Sequence, residues 1–181
     1  MMYYLKLGFI LLIFCVVATG ILAYLNTLTA PIIQDRKTKD EIDTREKLIP
    51  DAVFAADSTA SGMQYFRARA KEDSTLVLGY TFICSQKGYS SEVKTMVGID
   101  KDFKVLAIKV IDQAETPGLG ANCEQEGFSN QFKNLAEADL KVDKDGGQVV
   151  SLSGATITSR AIASSIQAGI AAIKASMGAE L

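Results

Sequence analysis

Three patterns point to an α+β fold: a mostly antiparallel sheet with flanking helices, preceded by one N-terminal transmembrane helix. The 19 residues 7–25 carry no charge. Four strand-like runs follow one another between 63 and 111: 76–84 and 93–99 are rich in β-branched and aromatic residues, while 63–70 alternates loosely and 103–111 more clearly. Ile162, Ile166, Ile170, Ile173 and Met177 then recur every three or four residues, the spacing of an amphipathic helix. Strands in succession with few helices between them favour an antiparallel sheet over a βαβ architecture.

The first element is the apolar run. As a helix, 19 residues reach roughly 28 Å, about the hydrocarbon thickness of a bilayer. A cleaved signal peptide has a shorter apolar region that ends in a small-x-small site. Thr-Leu-Thr-Ala30 before Pro31 matches that poorly, and Phe14 before Cys15 is not the context of a lipidated cysteine. Residues 1–30 therefore read as a retained anchor. Residues 31–50 read as a connecting helix, with Pro31 as a kink or break, a partial stripe at Ile42, Arg45, Leu48 and Ile49, and Pro50 as the stop. Residues 51–181 form the globular part.

Within it, 57–62 is rich in turn residues and reads as a loop. Strands are expected at 63–70, 76–84, 93–99 and 103–111, with Asp100-Lys-Asp102 joining the last two. Phe128, Phe132 and Leu135 mark one face of a short helix. Asp145-Gly-Gly147 is a turn leading to a strand near 148–152. The C-terminal helix is expected to have Ser159 as its N-cap, Lys174 near its far end and Gly178 as its terminator.

Composition excludes several chemistries. The chain has 181 residues, 19 Lys and Arg against 21 Asp and Glu, and no basic block, so nucleic acid is not the expected partner. It has no His, which removes Ser-His-Asp and Cys-His catalysis within the chain. Its three Cys are isolated, so no zinc or iron–sulfur site is expected and no metal ligands are assigned. Cys84 and Cys123 either pair, if the domain faces an oxidising compartment, or remain thiols, with Cys123 near a ligand.

Three stretches can carry chemistry. Ser153, Gly154, Ala155 and Thr156, followed by Ile157, Thr158 and Ser159, form a small-residue, hydroxyl-rich entry to the last helix. Thr156 would lie on a turn just ahead of the helix N-terminus, where unpaired N–H groups and the dipole suit a phosphate. Glu115, Thr116, Pro117, Gly118, Leu119 and Gly120 combine a Pro-Gly turn with a second glycine, which lets main-chain N–H groups approach a planar or anionic ligand. The third stretch is the polar loop 86–91, which carries Tyr89. Each alone also reads as an ordinary cap, turn or hairpin loop.

Taken together and in order, with Lys87-Gly-Tyr89 and Met96-Val-Gly-Ile-Asp100 after a single anchor, these motifs resemble a known family. It is the FMN domain shared by RnfG, the flavin-carrying subunit of the Rnf electron-transport complex, and NqrC, its counterpart in the sodium-translocating NADH:quinone oxidoreductase. The chain's length is nearer that of RnfG. The resemblance implies covalent FMN, joined through its phosphate to Thr156 by a separate flavin transferase that uses FAD and Mg²⁺. Glu115 to Gly120 and the Tyr89 loop would then wall the flavin ring, with Ser153, Gly154, Ala155 and Thr158 around the attachment point. There are two departures from the family pattern: Val150 stands where many members have Asp, and Ser90 and Ser91 follow Tyr89 where glycines are common.

The function so implied is that of an electron-carrier subunit in an ion-translocating membrane complex that links ferredoxin and NAD. It would work with the other subunits and would not catalyse the overall reaction alone. Alternatives are the quinone-reductase subunit and a flavin-free anchored scaffold. The resemblance also implies an extracytoplasmic domain on a single-pass anchor, whereas Arg36, Lys37 and Lys39 beyond the apolar run argue for the cytoplasmic side.

Overall fold

In the computed structural model, which describes residues 2–59, 62–73 and 75–178, the chain divides into two compact units, Met1–Ile42 and Asp43–Leu181. The first is helical over all its described residues. Helix α1 (Met2–Leu48) begins there and ends in the second unit. An 18-residue window of α1 has a mean hydropathy of 2.6 and none of it is buried. This is the one helix among the described residues that is long and apolar enough to cross a membrane. Pro31 lies inside α1 and not between two helices, so of the expected kink or break the chain makes no break there. A proline removes a single i→i−4 bond, and the bonds of the turns on either side carry the helix across it.

The second unit is built on a five-stranded sheet in the order β1-β2-β3-β4-β5, with every neighbouring pair antiparallel. The strands are β1 (Ala52–Ser58), β2 (Gln64–Ala70), β3 (Val77–Lys87), β4 (Glu92–Asp100) and β5 (Val105–Asp112). Four of them fall where composition (β3 and β4) or alternation (β2 and β5) placed them. β1 does not, and residues 57 and 58, expected in a loop, belong to it. It is an edge strand, mostly exposed and rich in alanine, so its pairing with β2 owes more to sheet context than to composition.

Helix α3 (Thr156–Gly178) lies against one face, packing on β3 and β4. Its stripe of Ile162, Ile166, Ile170 and Ile173 is fully buried with Phe82, Val97 and Ile99. Gly169 lets the helix approach: a Cβ there would overlap the Phe82 ring. On the other face, Leu48 and Ile49 at the end of α1 cluster with Ala68 and Met96. Here the expected stripe on the connecting helix is partly realised. Arg45 and Leu48 are buried, Arg45 with its guanidinium 3.5 Å from the Phe66 ring centroid, while Ile42 is exposed.

Between β5 and α3 the chain is irregular. The short helix expected around Phe128 is helix α2 (Glu126–Ser129) followed by a 3-10 turn (Asn130–Phe132), and Leu135 lies beyond both. All three residues are nonetheless core. No strand forms at 148–152. Val149 makes one parallel bridge to Val142, and side chains take the next N–H groups: Val150 donates to Gln131 Oε1, Ser151 to Asp143 Oδ1 and Leu152 to Ser159 Oγ. With those donors engaged, no ladder can extend.

Candidate functional site

Four segments meet at the end of the sheet where β3 turns into β4 and β5 ends: loop 88–91, the loop after β5, the turn at 143–145, and the entry to α3. Their organising residue is Glu115, whose side chain is buried. Its Oε1 accepts the N–H groups of Ser90 and Ser91, each at 2.9 Å, and the Ser91 hydroxyl at 3.3 Å. Its Oε2 accepts the Tyr89 N–H at 3.3 Å and the Thr158 hydroxyl at 2.7 Å. Burial by itself would raise the pKa of Glu115. The bonds from Ser91, Thr158, Ser90 and Tyr89 outweigh it and hold the carboxyl below its ordinary range. The carboxylate also explains two glycines. A Cβ at Gly88 would fall 2.7 Å from Oε1, and one at Gly120 would fall 2.7 Å from Oε2.

The loop after β5 forms the expected turn. Leu119 N–H bonds the Thr116 carbonyl at 3.1 Å, with Pro117 second and Gly118 third at φ +78°. A similar turn precedes α3: Ala155 N–H bonds the Leu152 carbonyl at 3.0 Å, with Gly154 third at φ +72°. Thr156 is then the first helical residue, so it sits inside the helix start and not ahead of it. Ser159, expected as the N-cap, is buried in the first turn. Its hydroxyl donates to the Ala155 carbonyl at 3.1 Å and accepts the Leu152 N–H at 3.0 Å. The N–H groups of Thr156, Ile157 and Thr158 have no acceptor among the described residues.

These segments enclose a cavity of about 470 Å³, within the usual range for small-ligand sites. It is lined by Tyr89, Glu115, Thr116, Leu119, Gly120, Lys144, Gly154, Ala155, Thr156, Ile157 and Thr158. Nine of these came from the sequence: Tyr89, Glu115, Thr116, Leu119, Gly120, Gly154, Ala155, Thr156 and Thr158. Pro117 and Gly118 shape the turn without lining the cavity, and Ser153 is exposed on its own turn. Lys144 and Ile157 were not among the candidates. Lys144 donates to Thr156 Oγ1 at 3.2 Å. No local motif marks it, because its place depends on contacts made from its neighbours to residues up to 15 positions away. Cys84 and Cys123 are both buried free thiols, and burial pushes each up to about 11.

Chemically, the cavity offers the hydroxyls of Thr116 and Thr156, one ammonium, unpaired backbone donors, and a rim of Tyr89, Leu119 and Ile157; the Thr158 hydroxyl is taken by Glu115. Comparison with known proteins assigns residues 88–171 to a family profile described as the FMN-binding domain, and residues 4–47 to one described as the RnfG N-terminal region. The G subunit of the ion-translocating oxidoreductase complex of Haemophilus influenzae (strain 86-028NP) is 34% identical, over 88% of this chain and 83% of its own. The chain belongs to the RnfG family. Another member, the G subunit of the proton-translocating ferredoxin:NAD(+) oxidoreductase complex of Clostridium ljungdahlii, is 29% identical over 88% of this chain and 86% of its own. Among solved structures, the C subunit of the Na(+)-translocating NADH-quinone reductase from Parabacteroides distasonis aligns at 24% identity and a TM-score of 0.49. That alignment covers 59% of this chain and 58% of the other. In this RnfG family member the FMN-binding match begins at Gly88, beside the Tyr89 loop, and takes in the whole cavity lining.

Proposed function

We propose that this RnfG family member is a membrane-anchored electron carrier whose FMN is joined through its phosphate to Thr156. It serves within an ion-translocating complex that links ferredoxin and NAD. The observation that carries this reading is the convergence, inside the FMN-binding match, of the Thr156 hydroxyl with unpaired first-turn N–H groups in one cavity.

The residues fit the group. The Thr156 hydroxyl is the ester oxygen, and the turn at Gly154 and Ala155 leaves room for a transferase to reach it. Backbone donors at the start of α3 offset the phosphate charge, by roughly 0.3–2 kcal/mol for a helix N-terminus. Tyr89, Leu119 and Ile157 provide apolar surface for the ring. Glu115 keeps both walls in register. FMN, when bound, supplies the capacity to accept and pass on electrons; the chain holds and shields it. The match of residues 4–47 to the RnfG N-terminal region favours the RnfG role over that of NqrC.

In this reading residues 1–30 anchor the chain, 31–50 connect, and 51–181 form the flavin domain on the extracytoplasmic side, where a flavin transferase completes it. Intact mass of the full chain produced with and without a flavin transferase tests the attachment. A gain equal to one FMN ester is expected only with the transferase, and no gain in either preparation removes the flavoprotein reading. Topology has its own check. A Lys101→Cys substitution on the exposed turn between β4 and β5 should react with an impermeant thiol reagent in intact cells. Reaction only after lysis would place the domain in the cytoplasm, as the basic residues after the apolar run argue.

A further inference from the structure

We propose that Lys144 is the residue that receives the flavin phosphate and holds it against the Thr156 hydroxyl. This rests on the reading of Thr156 as the attachment residue. Lys144 is the one cation among the residues lining the cavity, and its Nζ lies 3.2 Å from Thr156 Oγ1. The cavity's one carboxylate, Glu115, is already engaged by donors from loop 88–91 and by Thr158. What remains for a ligand is a positive charge beside a hydroxyl.

The position of Lys144 is built. It sits in a 3-10 turn (Asp143–Asp145) closed by Gly146 at φ +80° and flanked by the Val142–Val149 bridge. The turn is tied to the chain on both sides of Thr156. Asp143 Oδ1 accepts the Ser151 N–H at 3.0 Å and the Ser151 hydroxyl at 2.7 Å. Asp145 takes Arg160 in a two-point pair at 2.6 and 2.9 Å. These bonds hold both carboxyls below their ordinary range, Asp143 chiefly through Ser151 and Asp145 chiefly through Arg160. Neither acid forms a salt bridge with Lys144 among the described residues. The two neighbours thus act as ties, and although Asp143 also feels the Lys144 charge, the Lys144 ammonium makes its hydrogen bond to Thr156 at the cavity wall. A hydroxyl alone needs only a hydrogen-bond partner; a full charge placed there suits an anion.

In the transfer step the bond between Thr156 Oγ1 and phosphorus forms as the pyrophosphate P–O bond of a flavin dinucleotide donor breaks. AMP leaves. The hydroxyl proton goes to a base on the transferase, since the ammonium of Lys144 has no free lone pair to accept it. Lys144 offsets charge on the phosphate during transfer and afterwards pairs with the phosphodiester. It is a positioning residue toward Thr156 and a binding residue toward the phosphate.

The test uses the full chain, purified without flavin and then treated with transferase and FAD, and reads labelling rate by mass spectrometry and the ester by phosphorus NMR. Lys144→Met should slow labelling at least about fivefold, the size expected of one partly exposed charge-assisted contact. The phosphorus resonance of the finished ester should also move. Lys144→Arg should restore both. Limited proteolysis of Lys144→Met should match the wild type, because the side chain is exposed on its turn. Equal rates with an unmoved resonance overturn the proposal, as does a slower rate with an unmoved resonance, which would place the lysine at the transferase contact. Wild type that takes no flavin, or takes it elsewhere than Thr156, instead overturns the attachment reading beneath it.

Discussion

Thr156→Val is expected to carry no covalent flavin and still to fold, on the proposal that Thr156 is the attachment residue. The substitution keeps a β-branched side chain of nearly the same size at the first position of α3, so the backbone has no reason to shift. What it removes is one hydroxyl, half-buried and, among the described residues, bonded only to an exposed lysine, at a cost of no more than about 1 kcal/mol. The expected effect on attachment is complete because no other atom of the side chain could form the proposed ester. Intact mass after treatment with transferase reads it directly, with in-gel flavin fluorescence as a cross-check. Two controls frame the result. Ser153→Ala, at an exposed turn position outside the cavity lining, is expected to keep its label. Thr158→Ala should also keep its label but be less stable, because its hydroxyl is fully buried and donates to Glu115. Covalent flavin on Thr156→Val would show that the attachment residue is another.

Glu115→Ala is expected to destabilise the sheet unit by about 3 kcal/mol, since a buried carboxylate that accepts several hydrogen bonds is lost and its donors are left without partners. Loop 88–91 is released at the same time, so the wall carrying Tyr89 loses its register with α3. The urea midpoint of the full chain, read by pulse proteolysis of the sheet unit, measures this. The wild type should also show an acid limb. The folded pKa of Glu115 lies below its ordinary value of 4.5, so its contribution is fully present above pH 4.5 and is lost as pH falls through the lower folded value. Glu115→Gln should flatten that limb. A stability within about 1 kcal/mol of wild type, with the acid limb intact, would show that the carboxylate is not the tie between the two walls.

What could be read in the sequence was whatever repeats locally. Lack of charge over residues 7–25 marks a span because hydropathy is a sum over neighbours along the chain. Four strands and the Ile162 to Ile173 stripe are legible because side-chain periods of two and of three to four are set by backbone geometry. Pro117-Gly118 and Gly154 mark turns because a φ of +78° or +72° is a local demand that glycine meets. Tertiary structure decided the rest. β1 is a strand because β2 offers it an edge, and α1 runs through Pro31 because its flanking turns carry the bonding. Glu115 became a clamp only when residues 24 to 43 positions away brought their donors to it. Lys144 reaches Thr156 because Asp143 is bonded to Ser151 and Asp145 to Arg160, contacts whose energy depends on distances in space that no periodicity along the chain encodes.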